Sequence, residues 1–325
     1  MHKFAYSLFI SLLVFSLVYS ANAAVNRKIS VTKFPHTVVI NSQSTDPAAS
    51  VFGLYKFRFS TVYVPHIRVA AYKDVNDTTY RSTFRAALVA LIEYNDTIAV
   101  QDSDSAFTYF GKGPLWDEIK FNDGDNGLKT LNTTLTAPGG ANPFTTTISL
   151  YATETETSIN GATLLPSDIK YSLAFSNFPY KYQNSKIAIV HIVFTTAGSK
   201  SSLNSDNAQI TVSSNTTGVG RLEWAKTITA DGKDMTISAE TNVVWKAFQQ
   251  FTNGNSTDDD AIASEQLETV VFKFDAVQPT SVVWDPRVGF VEDSTTSTNV
   301  ASTVVNYNAF VTIIISSIFG CYLFI

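Results

Sequence analysis

Cysteine is almost missing from this chain of 325 residues: the one copy is Cys321, close to the carboxyl end. No intrachain disulfide can form, so the fold must be held by its core rather than by staples. A thiol nucleophile placed in the body of the chain is excluded with it. Histidine is scarce as well, with His2, His36, His66 and His191 in no spacing that suits zinc. No Gly-x-Ser-x-Gly run marks the elbow of a serine hydrolase. Charged residues make up only 16% of the chain and the net charge is −5. Such a balance argues against nucleic acid and against anionic lipid headgroups as partners.

The longest apolar runs lie at the two ends. His2 and Lys3 precede an apolar stretch over 4–18, and Ala21-Asn22-Ala23 then supplies the small residues that a signal peptidase reads. This order predicts a signal peptide over residues 1–23. At the other end, residues 310–325 are apolar and no Lys or Arg follows them. A spanning helix needs about 20 apolar residues and usually carries basic residues on its cytoplasmic side. Small residues, then a polar spacer of roughly 8–12 residues, then an apolar tail of roughly 10–20, are the signal for a glycosylphosphatidylinositol (GPI) anchor. Residues 294–325 follow that order, which predicts a GPI-attachment propeptide over 300–325. Asn299 is the expected lipid-attachment residue, with Ser297 and Ser302 as neighbouring candidates. A membrane-anchoring helix is the alternative at either end. The mature protein then lies on the extracellular face of the plasma membrane, held to the outer leaflet through the lipid.

Asn-x-Ser/Thr acceptors occur at Asn76, Asn95, Asn132, Asn215 and Asn255. Together with the two processing signals they predict N-glycosylation in the secretory pathway and surface loops at those asparagines.

Between the ends, alternation with period two dominates. Tyr55, Phe57 and Phe59 alternate with Lys56 and Arg58; Ile169, Tyr171, Leu173 and Phe175 alternate with Lys170, Ser172 and Ser176; Val270, Phe272 and Phe274 alternate with Lys273 and Asp275. Each reads as a strand with one buried face. Segments 88–92 and 187–194 are apolar on both faces and read as central strands covered on both sides. Turn clusters at 122–127, 138–140 and Asp231-Gly232 punctuate the runs. The expectation is an all-β protein of about sixteen to eighteen short strands, forming two packed antiparallel β-sandwich units or one extended sandwich. Pro and Gly concentrate at 136–143, which divides a first sandwich half over 24–139 from a second over 140–291. A Ser/Thr-rich stalk over 292–299 follows. The Ser-rich stretch 197–207 reads as a long hairpin loop. Residues 243–251 fit either a strand or a short helix.

Glycoside chemistry needs two carboxylates flanking a sugar. Asp117 and Glu118 beside Trp116 are neighbours in sequence and face opposite ways in a strand, while Glu154 and Glu156 read as a solvated strand face. The expectation is therefore a protein without catalysis, with an anchored glycan hydrolase as the alternative. Calcium is the cofactor worth testing, because Asp102 to Asp104, residues 122–127 and Asp258 to Asp260 offer hard oxygen ligands in turns. Asp123 with Asp125 is the pair favoured. Trp116, Trp224, Trp245 and Trp284 could offer a stacking platform for a sugar, though Trp284, before Asp285-Pro286-Arg287, reads more simply as a core plug with Asp285 and Arg287 pairing nearby. His191, inside an apolar run, reads as a core histidine.

Several segments occur together: Ile92-Glu93-Tyr94 before an acidic loop, Trp116 three residues ahead of Ile119, Asn177-Phe178-Pro179-Tyr180 closing a strand, and Trp284-Asp285-Pro286 with Val288-Gly289. On these segments the chain resembles an uncharacterised group of secreted or GPI-anchored β-rich eukaryotic surface proteins, over much of residues 85–290. The resemblance implies a surface location and carries no site with it. The combined expectation is a cell-surface protein for adhesion, recognition or coat structure, with a glycan or protein as ligand and loops at one end of the sandwich as the place to bind it. A purely structural coat protein is the further alternative.

Overall fold

A computed structural model of the chain describes residues 26–46, 52–62, 64–76, 80–107, 116–137, 142–159, 162–195, 200–205, 208–213, 219–241 and 266–291. The expected signal peptide, stalk and GPI propeptide, residues 243–251, and Asn215, Asn255 and Asn299 lie outside them. The described residues form 21 strands, more than the alternation alone suggests, and they belong to one compact unit. Among them no helix is long and apolar enough to cross a membrane.

The first sheet opens as a meander of β1 (Arg27–Phe34), β2 (Thr37–Ser44), β3 (Leu54–Ser60), β4 (His66–Tyr72) and β5 (Tyr80–Tyr94), each paired antiparallel with the next. The short β6 (Ala106–Phe107) adds to the far end of β5. The second sheet begins with β7 (Lys120–Asp123), β8 (Lys129–Thr136) and β9 (Thr145–Ala152). A small hairpin of β10 (Thr157–Ile159) and β11 (Ala162–Leu164) follows, and β12 (Asp168–Ser176) then pairs with β9. The chain returns to the first sheet as β13 (Lys186–Thr195), which pairs with β5. It crosses again through β14 (Lys200–Asn204), β15 (Gln209–Ser213) and β16 (Val219–Glu223).

The hairpin of β17 (Thr227–Ala230) and β18 (Lys233–Thr241) belongs to both sheets. β17 pairs with β20 (Ser281–Trp284) of the second sheet, and β18 pairs with β19 (Gln266–Phe274) of the first. The last strand, β21 (Arg287–Val291), lies between β12 and β16. The turn between β17 and β18 explains their hairpin: Asp231 and Gly232 have φ of 46° and 74°, the left-handed pair that a two-residue turn between twisted strands requires and that Asp-Gly supplies.

The core sits between the sheets. Phe290 of β21 stacks on Tyr55 of β3 at 5.1 Å and meets the edge of Phe84 of β5 at 6.1 Å. Gly220 of β16 faces the same ring so closely that an added Cβ would stand 2.5 Å from Phe84 Cδ1. Trp284, 1% exposed, packs against Phe272 and His191 and is the core plug its position suggests. β5 and β13 are covered on both sides as expected: Leu91, Ile187 and Ile189 join the main core, while Ala90, Ile92, Ala188 and Val190 form a second apolar cluster on the other face with Val100 and Val271.

The Pro/Gly stretch 136–143 connects β8 to β9, where Thr136 pairs with Thr145, and the chain on either side of it contributes strands to both sheets. Two expectations need correction. The Ser-rich stretch 197–207 contains β14, because a strand at a sheet edge can be held by its ladder without apolar side chains on both faces. β12 is not exposed on its alternate face; Asp168, Lys170 and Ser172 are buried as well as Ile169 and Tyr171.

Candidate functional site

Three short runs carry opposite charges two residues apart: Asp168 and Lys170, Arg221 and Glu223, Asp285 and Arg287. Residues i and i+2 of a strand share a face. Register brings the runs side by side on the outer face of the second sheet, with Asp168 and Arg221 both opposite Gly289, and Lys170 and Glu223 both opposite Arg287. Arg221 Nη2 reaches across β21 to Asp168 Oδ2 at 2.7 Å. Glycine is required beneath that bridge, since a Cβ at Gly289 would lie 2.0 Å from Asp168 Oδ1.

The rest of the lattice closes around it. Arg287 donates to Glu223 at 2.6 Å and to the carbonyl of Thr163 at 2.6 Å. Lys170 pairs with Asp285 at 3.0 Å and donates to the carbonyl of Ile159 at 3.0 Å, so the β10–β11 hairpin is tied down by the same cations. Asp285 and Arg287 thus pair with residues remote in sequence rather than with each other. Burial pushes the Asp168 carboxyl up, against the pull of Arg221 and Arg287. A cleft of about 290 Å³ opens beside the lattice, lined by Thr163, Lys170, Glu223, Trp224, Asp285 and Arg287. Its carboxylates already have cationic partners, an arrangement suited to clamping strands together.

A larger groove of about 450 Å³ lies on the outer face of the first sheet, lined by Ser30, Asn41, Gln43, Leu54, Lys56 and Tyr72 with Val75 at its rim. Four strands assemble it: Ser30 pairs with Asn41, Asn41 with Lys56, Gln43 with Leu54, and Leu54 with Tyr72. Inner-face neighbours such as Ile40, Tyr55, Phe57 and Ala71 are buried, and this fixes which side chains face out. Amide, hydroxyl and ammonium groups beside a tyrosine ring offer hydrogen bonds and an apolar face together.

A third polar centre is structural. Glu93, fully buried at the end of β5, accepts from the Lys181 and Tyr182 backbone N–H groups at 2.8 and 2.7 Å. It also accepts from the Ser105 and Ser185 hydroxyls at 2.6 and 2.5 Å. It ties β5 to the segment after Tyr180, whose hydroxyl in turn donates to the Pro279 carbonyl at 2.8 Å.

The residues singled out from sequence are dispersed. Asp123 pairs with Lys129, and Asp125 is exposed in a single turn of 3₁₀ helix. Among the described residues no group of three or more His, Cys, Asp or Glu gathers as metal ligands would. Asp117 and Glu118 are both exposed. Glu154 and Glu156 do not share a strand face, because β9 ends at Ala152 and β10 begins at Thr157; Glu154 instead accepts from the Ile29 N–H at 3.1 Å. Trp116, Trp224 and Trp284 are all buried, and Trp245 lies outside the described residues. His191 is buried between Tyr171, Phe272 and Trp284, which drives its pKa down to about 3.

Among the glycosylation sites, Asn95 is held in a turn in which its Oδ1 accepts from Thr97 N at 2.9 Å, Thr97 Oγ1 at 2.8 Å and Ile98 N at 2.8 Å. Asn76 is exposed just after β4. Asn132 differs from both: it is half-buried in the middle of β8, between Lys120 and Ser149, not in a loop.

No family model matches the chain, and no curated protein matches it. Among solved structures it is similar to heparan sulfate lyase HepC from Pedobacter heparinus, with 8% identity and a TM-score of 0.43 over 90% of this chain and 42% of that one. It is also similar to the family GH92 inverting mannosidase BT2199 from Bacteroides thetaiotaomicron, with 10% identity and a TM-score of 0.29 over 83% of this chain and 30% of that one. The chain spans less than half the length of either enzyme.

Proposed function

We propose that this is a carbohydrate-binding cell-surface protein, secreted, N-glycosylated and held on the outer leaflet by a GPI lipid at Asn299. The observation that carries the binding reading is the groove across β1–β4, where Asn41, Gln43 and Lys56 stand beside Tyr72. Sugar hydroxyls need donors and acceptors at fixed spacing, and the C–H face of a sugar ring packs on an aromatic ring. A rigid sheet holds such groups in place at little conformational cost on binding. The lipid reading rests on residues 294–325 and the secretory reading on residues 1–23.

One preparation tests both parts. The full chain is expressed on eukaryotic cells, released with phosphatidylinositol-specific phospholipase C, and applied to a glycan array. Release of protein that lacks residues 310–325, with capture on a subset of glycans, is the expected result. Resistance to the lipase with that tail retained overturns the anchor, and an array without capture overturns the binding role.

A further inference from the structure

Strands β1–β4 carry Arg27, Lys28, Lys33, Lys56, Arg58 and Arg68 and no acidic residue, in a chain whose net charge is −5. Arg27 is buried over the Tyr55 ring, and Asp46 and Asp74 lie in the segments after β2 and β4, so the outward cations of these strands are Lys28, Lys56, Arg58 and Arg68. On the outer face, Arg58 stands opposite Arg68, and Arg68 opposite Arg85. Three arginine positions thus cross three adjacent strands at intervals of about 4.8 Å. Like charges directly opposite one another cost stability. Each of the three also interacts within the chain.

The row lies next to the groove. Lys56 is two residues from Arg58 on β3, and Tyr72 is four from Arg68 on β4, all facing outward. Between Arg68 and Tyr72 on that face stands Ala70, a small residue that is itself buried, as is its β5 partner Thr83.

We infer that the groove and the arginine row form one site whose ligand is an acidic glycan, its sulfate or carboxylate groups meeting Arg58, Arg68 and Arg85 and its hydroxyls and rings meeting Asn41, Gln43 and Tyr72. The inference rests on the carbohydrate-binding reading of the groove. A guanidinium presents paired N–H donors that match two oxygens of a sulfate or carboxylate. A glycan chain running across the strands meets the three arginine positions in succession, at the interval between strands.

The lipase-released protein is passed over immobilised heparin, hyaluronan and a neutral mannan, at low and at physiological salt. Heparin carries sulfates, hyaluronan carboxylates alone, so the two arms separate the sources of charge. Tighter capture by one or both acidic polymers than by mannan, weakened by salt, is expected. Arg68→Gln with Arg85→Gln weakens acidic capture about tenfold or more and weakens mannan capture much less. Asn41→Ala with Gln43→Ala weakens capture of all three. Replacing all three arginines by Lys keeps the charge and loses the paired donors, so it gives intermediate capture and guards against a folding defect in the Gln variant. Equal capture of mannan and the acidic polymers, or acidic capture indifferent to the arginine variants, overturns this inference and leaves the groove reading standing. No capture of any polymer removes the groove reading, and this inference falls with it.

Discussion

On the outer face of the second sheet, cations and carboxylates alternate along β12, β16 and β21 and meet across them, Arg221 with Asp168 and Arg287 with Glu223. On the outer face of the first sheet, β1–β4 contribute cations and no carboxylate. The residue types are the same and the consequences differ. Where each charge finds its opposite under a covering hairpin, the charges are spent on holding strands together. Where like charges are aligned across strands, ladder neighbours do not neutralise one another, and each arginine finds its interaction elsewhere in the chain.

The largest effect is expected where the second face is broken. Arg221→Ala leaves the Asp168 carboxylate buried without its close partner and should cost about 3–5 kcal/mol in urea denaturation. Replacing both, Arg221→Met with Asp168→Leu, should cost much less, and an equal loss would show that the pair contributes more than mutual neutralisation. Gly289→Ala drives a methyl group into Asp168 and should cost about 1–3 kcal/mol by the same measurement. Between the two faces, His191 gives a pH test. Its pKa of about 3 lies below the ordinary 6.5, so the unfolded chain takes up a proton that the native core refuses. Its contribution is present above pH 6.5 and is lost as pH falls from there towards 3, on the order of 1 kcal/mol per pH unit. His191→Phe should flatten that slope. Asp168, raised by burial, acts in the opposite sense, its contribution fading as pH rises through its folded value.

On the first face the expected losses are small. Arg68→Gln should change stability by less than about 1 kcal/mol, and a loss comparable to that of Arg221→Ala would erase the contrast between the faces. Smallest of all is Asn76→Gln, at an exposed residue, which should remove one glycan, seen as a mobility shift on a denaturing gel, with a stability change within about 0.5 kcal/mol.

Part of this was legible in the chain and part was not, for a physical reason. Tyr55, Phe57 and Phe59 announce a strand because burial of one face leaves a period-two trace in the residues themselves. Residues 88–92 and 187–194 announce central strands by a different trace, apolar residues on both faces. The lattice left a fainter trace. Lys170 between Ile169 and Tyr171 has the pattern of a solvent-facing residue, and its partners Asp285 and the Ile159 carbonyl, neither of them near it in the chain, allow it to be buried. Three opposite-charge pairs at i and i+2 were the available clue. The groove left none, since Asn41, Lys56 and Tyr72 meet through the register of separate strands, which no local pattern encodes.

The β17–β18 hairpin gives this architecture a property that neither face has alone. Because one strand of the hairpin is laddered into each layer, the layers share a line of backbone bonds and cannot separate without unzipping it. Amide protons on β19 and on β20 should then exchange with solvent at a common slow rate, through one opening event, rather than as two independent populations. The sandwich is, in that sense, a single folded cloth with a sewn edge.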